Sequence, residues 1–279
     1  MGEEVRITVL SENHALEGLT PEYGLSVWIE ADGTRILFDT GMAGAFAANA
    51  AKLGVDLSGT VHLALSHGHL DHTGGVPLAL QQAPGALIHL HIDATGPKYH
   101  VAGEGRADFI GMPEPTFRII RDASVRSMFL TDVTRLTGRV CLTGPIPRRT
   151  AFEKVPQSFA LDPEGRRPDP IEDDQALWIE TEEGLIVVLG CSHSGVVNTV
   201  EHIREKSGRK EIRAIIGGMH LMGSDQETIR KTADAIASWN PGLISPNHCT
   251  GDTACAYFRE RFPDIYAPSA AGSVFVFSL

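Results

Sequence analysis

The stretch Ser66-His67-Gly68-His69-Leu70-Asp71-His72-Thr73-Gly74-Gly75 places four metal-binding side chains within six residues, directly after an apolar, strand-like run. A loop leaving a strand can direct His67 and His69 at one cation, while Asp71 and His72 reach a neighbouring one. Imidazole and carboxylate ligands suit zinc, iron or manganese better than magnesium or calcium. The alternative is a solvated turn rich in histidine, but the flanking glycines, which let the backbone fold tightly around an ion, favour a metal site.

Further ligands are expected from the second half of the chain, where three histidines end strand-like runs. His193, His220 and His248 follow apolar segments near 184–190, 212–216 and 243–245. Consecutive strand ends bring residues that are distant in sequence to one edge of a sheet. His202, by contrast, falls within a predicted helix over 196–206 and is expected at the surface. The sequence therefore predicts one composite site built from both halves.

The His-x-His-x-Asp-His pattern at residues 67–72 resembles the hallmark of the metallo-β-lactamase superfamily. A second similarity is the segment 36–41, a strand ending in Asp39. The resemblance implies an α/β fold of the four-layer αββα sandwich type, with metals where strand ends from both halves meet. It also implies that Asp39 orients ligands rather than binding metal. The alternative for Asp39 is a helix N-cap or turn residue before the Ala-rich segment 42–53.

The resemblance also implies a ligand set. His67, His69, Asp71 and His72 bind zinc, as one or two ions, with iron or manganese as alternatives, and Asp71 and His72 are the catalytic candidates. His248 matches the family's last histidine ligand, its alternative being a buried, hydrogen-bonded histidine.

Two family ligands are replaced or absent in this sequence. Cys191 stands where relatives carry a bridging aspartate, so it is either a soft bridging thiolate or a small buried residue. No histidine lies between 101 and 174, so either His193 replaces the family's middle histidine or one metal position is weak. His220 is expected to complete a shell or to line the pocket.

Several further segments resemble one branch of this superfamily, the one that contains the 7,8-dihydropterin-6-methyl-4-(β-D-ribofuranosyl)aminobenzene 5′-phosphate synthases. The segments that carry the resemblance are 22–26, 173–177, 190–195, 217–221 and 248–251. The branch implies a phosphorylated or pterin-like small-molecule substrate, with transfer of a dihydropterin methyl group to an aminobenzene riboside phosphate and loss of diphosphate. Two alternatives stay open, a generic hydrolase of esters, phosphodiesters or lactams and a noncatalytic metal- or ligand-binding protein.

An anionic substrate would need partners in the protein. Backbone N–H groups at a helix start near Ser194 and Gly195 offer one anion site. Arg148 and Arg149 are candidates for clamping a phosphate, although a solvated pair of loop residues is the alternative.

Composition limits the remaining classes. The 279 residues carry 24 basic and 35 acidic side chains, a formal net charge of −11, which argues against extended capture of nucleic acid. Four cysteines show no paired zinc-finger spacing, and no apolar run approaches the roughly 20 residues that span a bilayer. We expect a cytoplasmic protein without membrane contact, formed by one domain over 1–279. The irregular segment 93–174, rich in prolines, glycines and charges, is predicted to connect the halves and cover the active site.

Overall fold

The computed structural model describes residues 4–102 and 105–279. Its strands, in chain order, are β1 (Glu4–Ser11), β2 (Ser26–Ala31), β3 (Thr34–Phe38), β4 (His62–Ala64), β5 (Leu87–Leu90), β6 (Tyr99–Val101), β7 (Ala107–Phe109), β8 (Ser127–Phe129), β9 (Thr134–Arg135), β10 (Val140–Leu142), β11 (Phe159–Ala160), β12 (Leu177–Thr181), β13 (Gly184–Leu189), β14 (Ile212–Gly218), β15 (Leu243–Asn247) and β16 (Val274–Ser278). Its α-helices are α1 (Ala45–Leu53), α2 (Leu70–Thr73), α3 (Val76–Gln82), α4 (Glu114–Arg121), α5 (Val196–Ser207), α6 (Gln226–Trp239) and α7 (Asp252–Arg261).

Two large sheets form the centre of the fold. The first has the order β16-β1-β2-β3-β4-β5-β8, and the second has the order β15-β14-β13-β12-β10-β9. Part of each sheet is parallel: the four neighbouring strands β3, β4, β5 and β8 in the first sheet, and the three strands β13, β14 and β15 in the second. Parallel strands bring their carboxyl ends to the same edge of their sheet, so the residues that follow them become neighbours.

Apolar side chains alternate along the strands and pack between the two sheets. On β1, Val5, Ile7 and Val9 are fully buried and belong to an apolar cluster that includes Ile186 and Val188 of β13. Burying a side chain of this size contributes roughly 1.5–3 kcal/mol. This inter-sheet cluster is the part of the core that does not involve the strand-end loops.

Helices cover the outer face of each sheet. An apolar cluster that includes Leu37 and Phe46 packs α1 and α3 on the first sheet. A second outer cluster, including Val200 and Ile236, packs α5, α6 and α7 on the other. The layers are thus helix, sheet, sheet, helix, which confirms the predicted αββα sandwich. In the second sheet, β12 and β13 form an antiparallel pair across a tight turn at residues 182–183.

The span 93–174 contains more regular structure than its composition indicates. It contributes β8 to the first sheet and β9 and β10 to the second, and it includes α4. Strands β6, β7 and β11 form a separate three-stranded sheet. In this sheet, Phe159 of β11 lies with its ring centroid 5.6 Å from that of His69. This part of the span therefore reaches the strand-end loops. No helix in the described ranges is long and apolar enough to cross a membrane.

Candidate metal centre

The ends of five parallel strands supply the side chains of the candidate centre. Asp39 follows β3 and the loop 66–69 follows β4, while Cys191 and His193 follow β13. His220 and His248 follow β14 and β15. The sequence predicted this convergence from both halves of the chain, and the structure places these residues side by side.

Three histidines face one another at the first position. His67 Nε2 lies 3.0 Å from His69 Nδ1 and 3.2 Å from His193 Nε2. Burial lowers the pKa of His67 and of His193 well below the usual value and lowers the pKa of His69 to about 3, with the neighbouring histidines adding to the effect on His67 and His193. These rings are therefore neutral at physiological pH and can offer lone pairs. His193 thus forms a compact group with His67 and His69.

A carboxylate and two histidines form the second position. Asp71 Oδ2 lies 3.3 Å from His248 Nε2 and 3.7 Å from His72 Nε2, and the two Nε2 atoms are 3.2 Å apart. Burial alone would raise the pKa of Asp71, but His72 and His248 hold it below its usual value. For His72, burial lowers the pKa, while the Asp39 and Asp71 carboxylates raise it more, to about 9.

The hydrogen-bond network assigns the ring tautomers of three of these histidines. His72 Nδ1 lies 2.7 Å from Asp39 Oδ2, His248 Nδ1 lies 3.1 Å from Asn13 Oδ1, and His67 Nδ1 lies 2.9 Å from Ser66 Oγ. Because carboxylate and amide oxygens only accept, and because Ser66 Oγ donates its own proton to Asp39, each Nδ1 carries the ring proton when the ring is neutral. Each Nε2 then presents a lone pair to the centre.

Asp39 forms hydrogen bonds with Ser66 and His72, which lie at the candidate centre. Its Oδ1 accepts the Ser66 N–H at 2.7 Å and its Oδ2 accepts the Ser66 hydroxyl at 2.6 Å, in addition to the contact with His72. The first helix begins at Ala45 with Gly44 as its N-cap, so Asp39 is not the helix cap that the sequence left open. Its contacts fit a residue that orients ligands.

Cys191 lies between the two positions. Its Sγ is 3.1 Å from His72 Nε2, and it forms compact groups both with His67 and His72 and with His193 and His220. A third group joins Cys191 to His248 and Cys249, with ligand atoms within 4.8 Å of one another. Cys249 was not among the predicted site residues, although its position next to His248 is a signal that could have identified it.

The donor set fits a divalent cation. With its ring proton on Nδ1, neutral His67 has a single lone pair on Nε2, so at most one of the short nitrogen–nitrogen contacts of Nε2 can be a full hydrogen bond. His69 Nε2 and His193 Nδ1 are buried without hydrogen-bond partners in the described ranges. Lone pairs that converge in this way repel one another unless they share a cation, and three histidines or two histidines with a carboxylate are common zinc ligand sets.

A cavity of about 330 Å³ opens over these groups. The side chains that line it are Tyr23, Met42, His69, Leu70, Asp71, His100, Ile110, Phe159, Cys191, His193, His220, Met222, His248 and Cys249. Beside the histidines, cysteines and Asp71, the wall consists of aromatic, thioether and aliphatic groups, and the described lining includes neither lysine nor arginine. Burial raises the pKa of Tyr23, so its hydroxyl stays protonated. His220 is a wall residue and lies next to His193, with a ring centroid distance of 4.2 Å.

The predicted phosphate site at Ser194 and Gly195 is wrong. The Ser194 N–H donates to Asp174 at 2.8 Å, and the Gly195 N–H donates to the carbonyl of Ser192. The Glu153 carboxylate accepts the backbone N–H groups of Val197 and Asn198, which lie in the first turn of α5. An internal carboxylate thus fills the anion site at the start of α5.

Two further interpretations need correction. Arg148 pairs with Glu172 and Arg149 pairs with Glu205, and neither arginine lines the cavity, so the alternative of surface loop residues fits better than a phosphate clamp. His202 is only 6% exposed rather than at the surface, because its side of α5 faces the second sheet.

The fold and the converging histidine, cysteine and aspartate side chains indicate a metal-binding protein of the α/β class, and the sequence comparisons identify its family. The profile of the metallo-beta-lactamase superfamily matches residues 19–202, more than half of the chain. The chain belongs to the metallo-beta-lactamase superfamily. Members of this fold usually bind divalent metals, and family membership points to an enzyme.

Individual relatives match over almost the full length. The 7,8-dihydropterin-6-methyl-4-(beta-D-ribofuranosyl)-aminobenzene-5′-phosphate synthase of Methanocaldococcus jannaschii is 31% identical over 99% of this chain and 97% of its own. An uncharacterized protein of the same organism is 30% identical over 93% of this chain and 96% of its own. A crystal structure described as a metal-dependent hydrolase of the beta-lactamase superfamily superposes with a TM-score of 0.84, at 31% identity, covering 99% of this chain and 100% of that one.

Proposed function

We propose that this protein is a metal-dependent enzyme that joins a dihydropterin methyl group to an aminobenzene riboside phosphate, with loss of diphosphate. The observation that carries the proposal is the position of two three-ligand groups beneath a cavity with aromatic and aliphatic walls. The similarity to the M. jannaschii synthase over almost the whole chain supports it.

In this proposal His67, His69 and His193 hold one cation, and Asp71, His72 and His248 hold a second, with Cys191 between them. Zinc is the expected metal, with iron or manganese as alternatives. Bound there, a divalent cation neutralises negative charge on a leaving oxygen or activates an attacking one. Because the described cavity wall includes neither lysine nor arginine, neutralising the charge of a diphosphate leaving group depends on this contribution.

The protein's own side chains position and desolvate the reactants. Phe159 and Tyr23 present ring surfaces suited to flat aromatic groups, and Met42 and Met222 adapt to their outline. Asp39 keeps the His72 ring in one tautomer and orientation, so that Nε2 stays directed at the centre. Apolar walls limit water access and so favour transfer to an amine over hydrolysis.

Two measurements on the purified protein test the proposal. Elemental analysis should give one or two zinc, iron or manganese ions per chain. Incubation with 6-hydroxymethyl-dihydropterin diphosphate and 4-(β-D-ribofuranosyl)aminobenzene 5′-phosphate should give the coupled amine and free diphosphate. Formation of hydroxymethyl-dihydropterin alone, carrying oxygen from labelled water, would contradict the transfer.

We expect His67→Ala and His248→Ala each to lower the metal content by about one ion per chain and to reduce coupling activity by about 100-fold or more. The reason is that each variant removes one of three ligands at its position, whereas the inter-sheet core is untouched. Circular dichroism should show a retained fold. His202→Ala, a buried histidine outside the centre, serves as the control and should keep its metal. Unchanged metal content in both ligand variants would refute the ligand assignment.

The second candidate function is a metal-dependent hydrolase. It is favoured by the description of the structure that superposes with a TM-score of 0.84. Turnover of phosphodiester, ester or lactam substrates at rates above those of the coupling reaction would select it.

A further inference from the structure

A second cavity, of about 270 Å³, lies beside the cavity over the candidate metal centre. Met222 and His248 line both cavities. The His248 ring therefore separates them: its Nε2 faces Asp71 and His72, while its Nδ1 faces Asn13, which lines the second cavity. A molecule long enough to pass Met222 can occupy both cavities.

The second cavity carries a mixed set of polar groups. Asn247 is 4% exposed and lines the cavity, and its Oδ1 has no hydrogen-bond partner within the described ranges, whereas its Nδ2 donates to Ser269 Oγ at 3.0 Å. A buried polar atom of this kind normally has a partner. Tyr266 and Arg259 add a hydroxyl and a guanidinium group, with the Arg259 guanidinium 5.4 Å from the centre of the Tyr266 ring.

The start of α7 provides further donors. Gly251 precedes this ten-residue helix and lines the cavity, and no side chain caps the helix start. The N–H groups of the first turn lack intrahelical acceptors, as in any helix. Donors from the backbone and acceptors from Asn247 thus border the same space.

Charge distinguishes between the ligands that such a cavity could bind. The carboxylates of Glu12 and Asp252 line it together with the single guanidinium of Arg259, so the described wall has no excess of positive charge. Glu12 is held in place because it accepts the N–H groups of His248 and His14. A phosphate between Glu12 and Asp252 would meet two carboxylates, whereas neutral hydroxyl groups can both donate to them and accept from Arg259, Tyr266 and the helix start. The 5′-phosphate of the proposed substrate is therefore expected to project from this cavity into solvent. The ring of Tyr266 and the side chain of Met222 provide apolar surface for the carbon face of a sugar.

We infer that the second cavity binds the sugar-like, polyhydroxylated part of an elongated substrate whose reacting aromatic part lies over the metal centre. This inference rests on the proposed function for the identity of the aromatic part. Tyr266, Arg259 and Asn247 are then specificity-determining residues that recognise hydroxyl groups, and they contribute nothing to a substrate without the sugar.

Calorimetric titration of the metal-loaded protein tests the inference without requiring turnover. The probes are aniline, 4-(β-D-ribofuranosyl)aniline and the 5′-phosphate of that riboside, which should bind about as tightly as the neutral riboside because the cavity wall has no excess of positive charge. Wild-type protein should bind the neutral riboside at least ~10-fold more tightly than aniline, since a few well-formed hydrogen bonds account for about 1.4 kcal/mol. Tyr266→Phe and Arg259→Met should each weaken riboside binding roughly five-fold, as expected for loss of one neutral or charged hydrogen bond.

Tyr257→Phe is the matched control, because Tyr257 lies on the same helix but does not line the cavity. It should bind the riboside as the wild type does. Equal affinity of the wild type for aniline and riboside, or unchanged riboside affinity in both cavity variants, would overturn the inference. So would tight binding of inorganic phosphate that Arg259→Met abolishes, because it would identify an anion site.

The two proposals fail in different ways. If the wild type couples the substrates but the cavity variants bind the riboside normally, the second cavity is not the sugar site and the proposed function stands. If no coupling occurs but the riboside binds and the variants lose that affinity, the sugar site stands and the proposed reaction is wrong.

Discussion

Left-handed backbone conformations concentrate at the residues that follow the parallel strands. Asp39, Ser192, His220 and His248 have φ values of 59°, 56°, 45° and 49°. Residues other than glycine adopt this region at a cost of about 1 kcal/mol or more each. Strained backbone is typical of functional sites, and here it directs side chains from several strand ends to one centre.

Ser192→Gly tests whether this strain is present. Ser192 Oγ has no hydrogen-bond partner within the described ranges, so its removal loses no such contact. Glycine adopts the same φ without strain, and we expect the free energy of unfolding to rise by roughly 0.5–1 kcal/mol. Urea denaturation measures the change. Ser194→Gly is the control: Ser194 has no left-handed φ, and this variant should be destabilised. Destabilisation of both variants would mean that the backbone at Ser192 carries no strain.

Asp174 should make stability dependent on pH. Burial raises the pKa of Asp174 to about 6, above the value of 3.8 for an exposed aspartate, although its bonds to Ser194 act in the opposite direction. The folded state therefore favours the protonated acid. Protonated Asp174 contributes its full stabilisation below about pH 4, and this contribution is lost as the pH rises through about 6. The free energy of unfolding should therefore fall by roughly 2–3 kcal/mol over this range.

Asp174→Asn should remove that dependence, because the amide stays neutral at every pH. Unfolding by urea at pH 4.5 and pH 7.5 compares the two proteins. The variant should gain stability over the wild type at the higher pH, with a smaller gain at the lower one. The exposed Asp122→Asn serves as control. An equal difference between wild type and Asp174→Asn at both pH values would show that Asp174 is ionised throughout.

A buried lysine links the segment 93–174 to the loop that carries His67 and His69. Lys98 Nζ, 1% exposed, lies 2.7 Å from Asp173 Oδ1 and 3.1 Å from Asp169 Oδ2. The other oxygen of Asp173 accepts the N–H of Gly68, between His67 and His69, at 2.7 Å. Burial lowers the pKa of Lys98, but the two carboxylates raise it more, so the ammonium stays charged.

Lys98→Met should destabilise the protein by about 3–5 kcal/mol, because it leaves two buried carboxylates without a cation. It should also weaken zinc binding, since the loop at Gly68 loses its fixed partner. Chemical denaturation and zinc titration measure the two effects. The double variant with Asp169→Asn should recover part of the stability. Full stability of the single variant would mean that the carboxylates are protonated or solvated without Lys98.

The elements differ in how well the sequence predicts them. The apolar segment near 184–190 corresponds to β13, which is buried at every position, and the predicted helix over 196–206 corresponds to α5 (Val196–Ser207). The segment 93–174 was predicted as irregular. Its strands are short and pair with strands that are distant in sequence, and β8, for example, pairs with β5. Lys98 could not be identified either, since only tertiary packing brings Asp169 and Asp173 to it.

The candidate site also combines residues that the sequence predicts with residues that only tertiary packing brings together. His67, His69, Asp71 and His72 are recognisable because their spacing is local. The anion site at Ser194 was predicted from a helix start alone, and the sequence does not show that Glu153, more than 40 residues away, occupies it. Tyr23 and Phe159 likewise come to the cavity wall from elements whose relative position only the folded chain defines.

Metal binding should stabilise the folded protein as a whole, but folding should not require the metal. The inter-sheet cluster includes none of the candidate ligands, so the metal-free protein should fold. A ligand that binds only the folded state stabilises it by RT ln(1 + [L]/Kd), about 2.7 kcal/mol at a hundredfold excess over Kd.

We therefore expect added zinc to raise the melting temperature by several degrees and EDTA to reverse the rise. For a chain of this size, 1 kcal/mol corresponds to roughly 2–4 °C. Differential scanning calorimetry at fixed protein concentration measures the shift. His67→Ala should melt at nearly the temperature of the metal-free wild type and respond less to zinc. A metal-free protein without a cooperative transition would show that the sandwich depends on its metal.

The bond between Gly68 and Asp173 joins residues that are 105 positions apart in the chain. The backbone N–H of Gln175 donates to the carbonyl of Ser66, which ties the same loop to the same distant segment. When only the first hundred residues have left the ribosome, the His-x-His-x-Asp-His motif is complete. Asp173 and Gln175, which hold its loop in place, have not yet been synthesised. We therefore expect a cation to bind only after the second half of the chain has emerged.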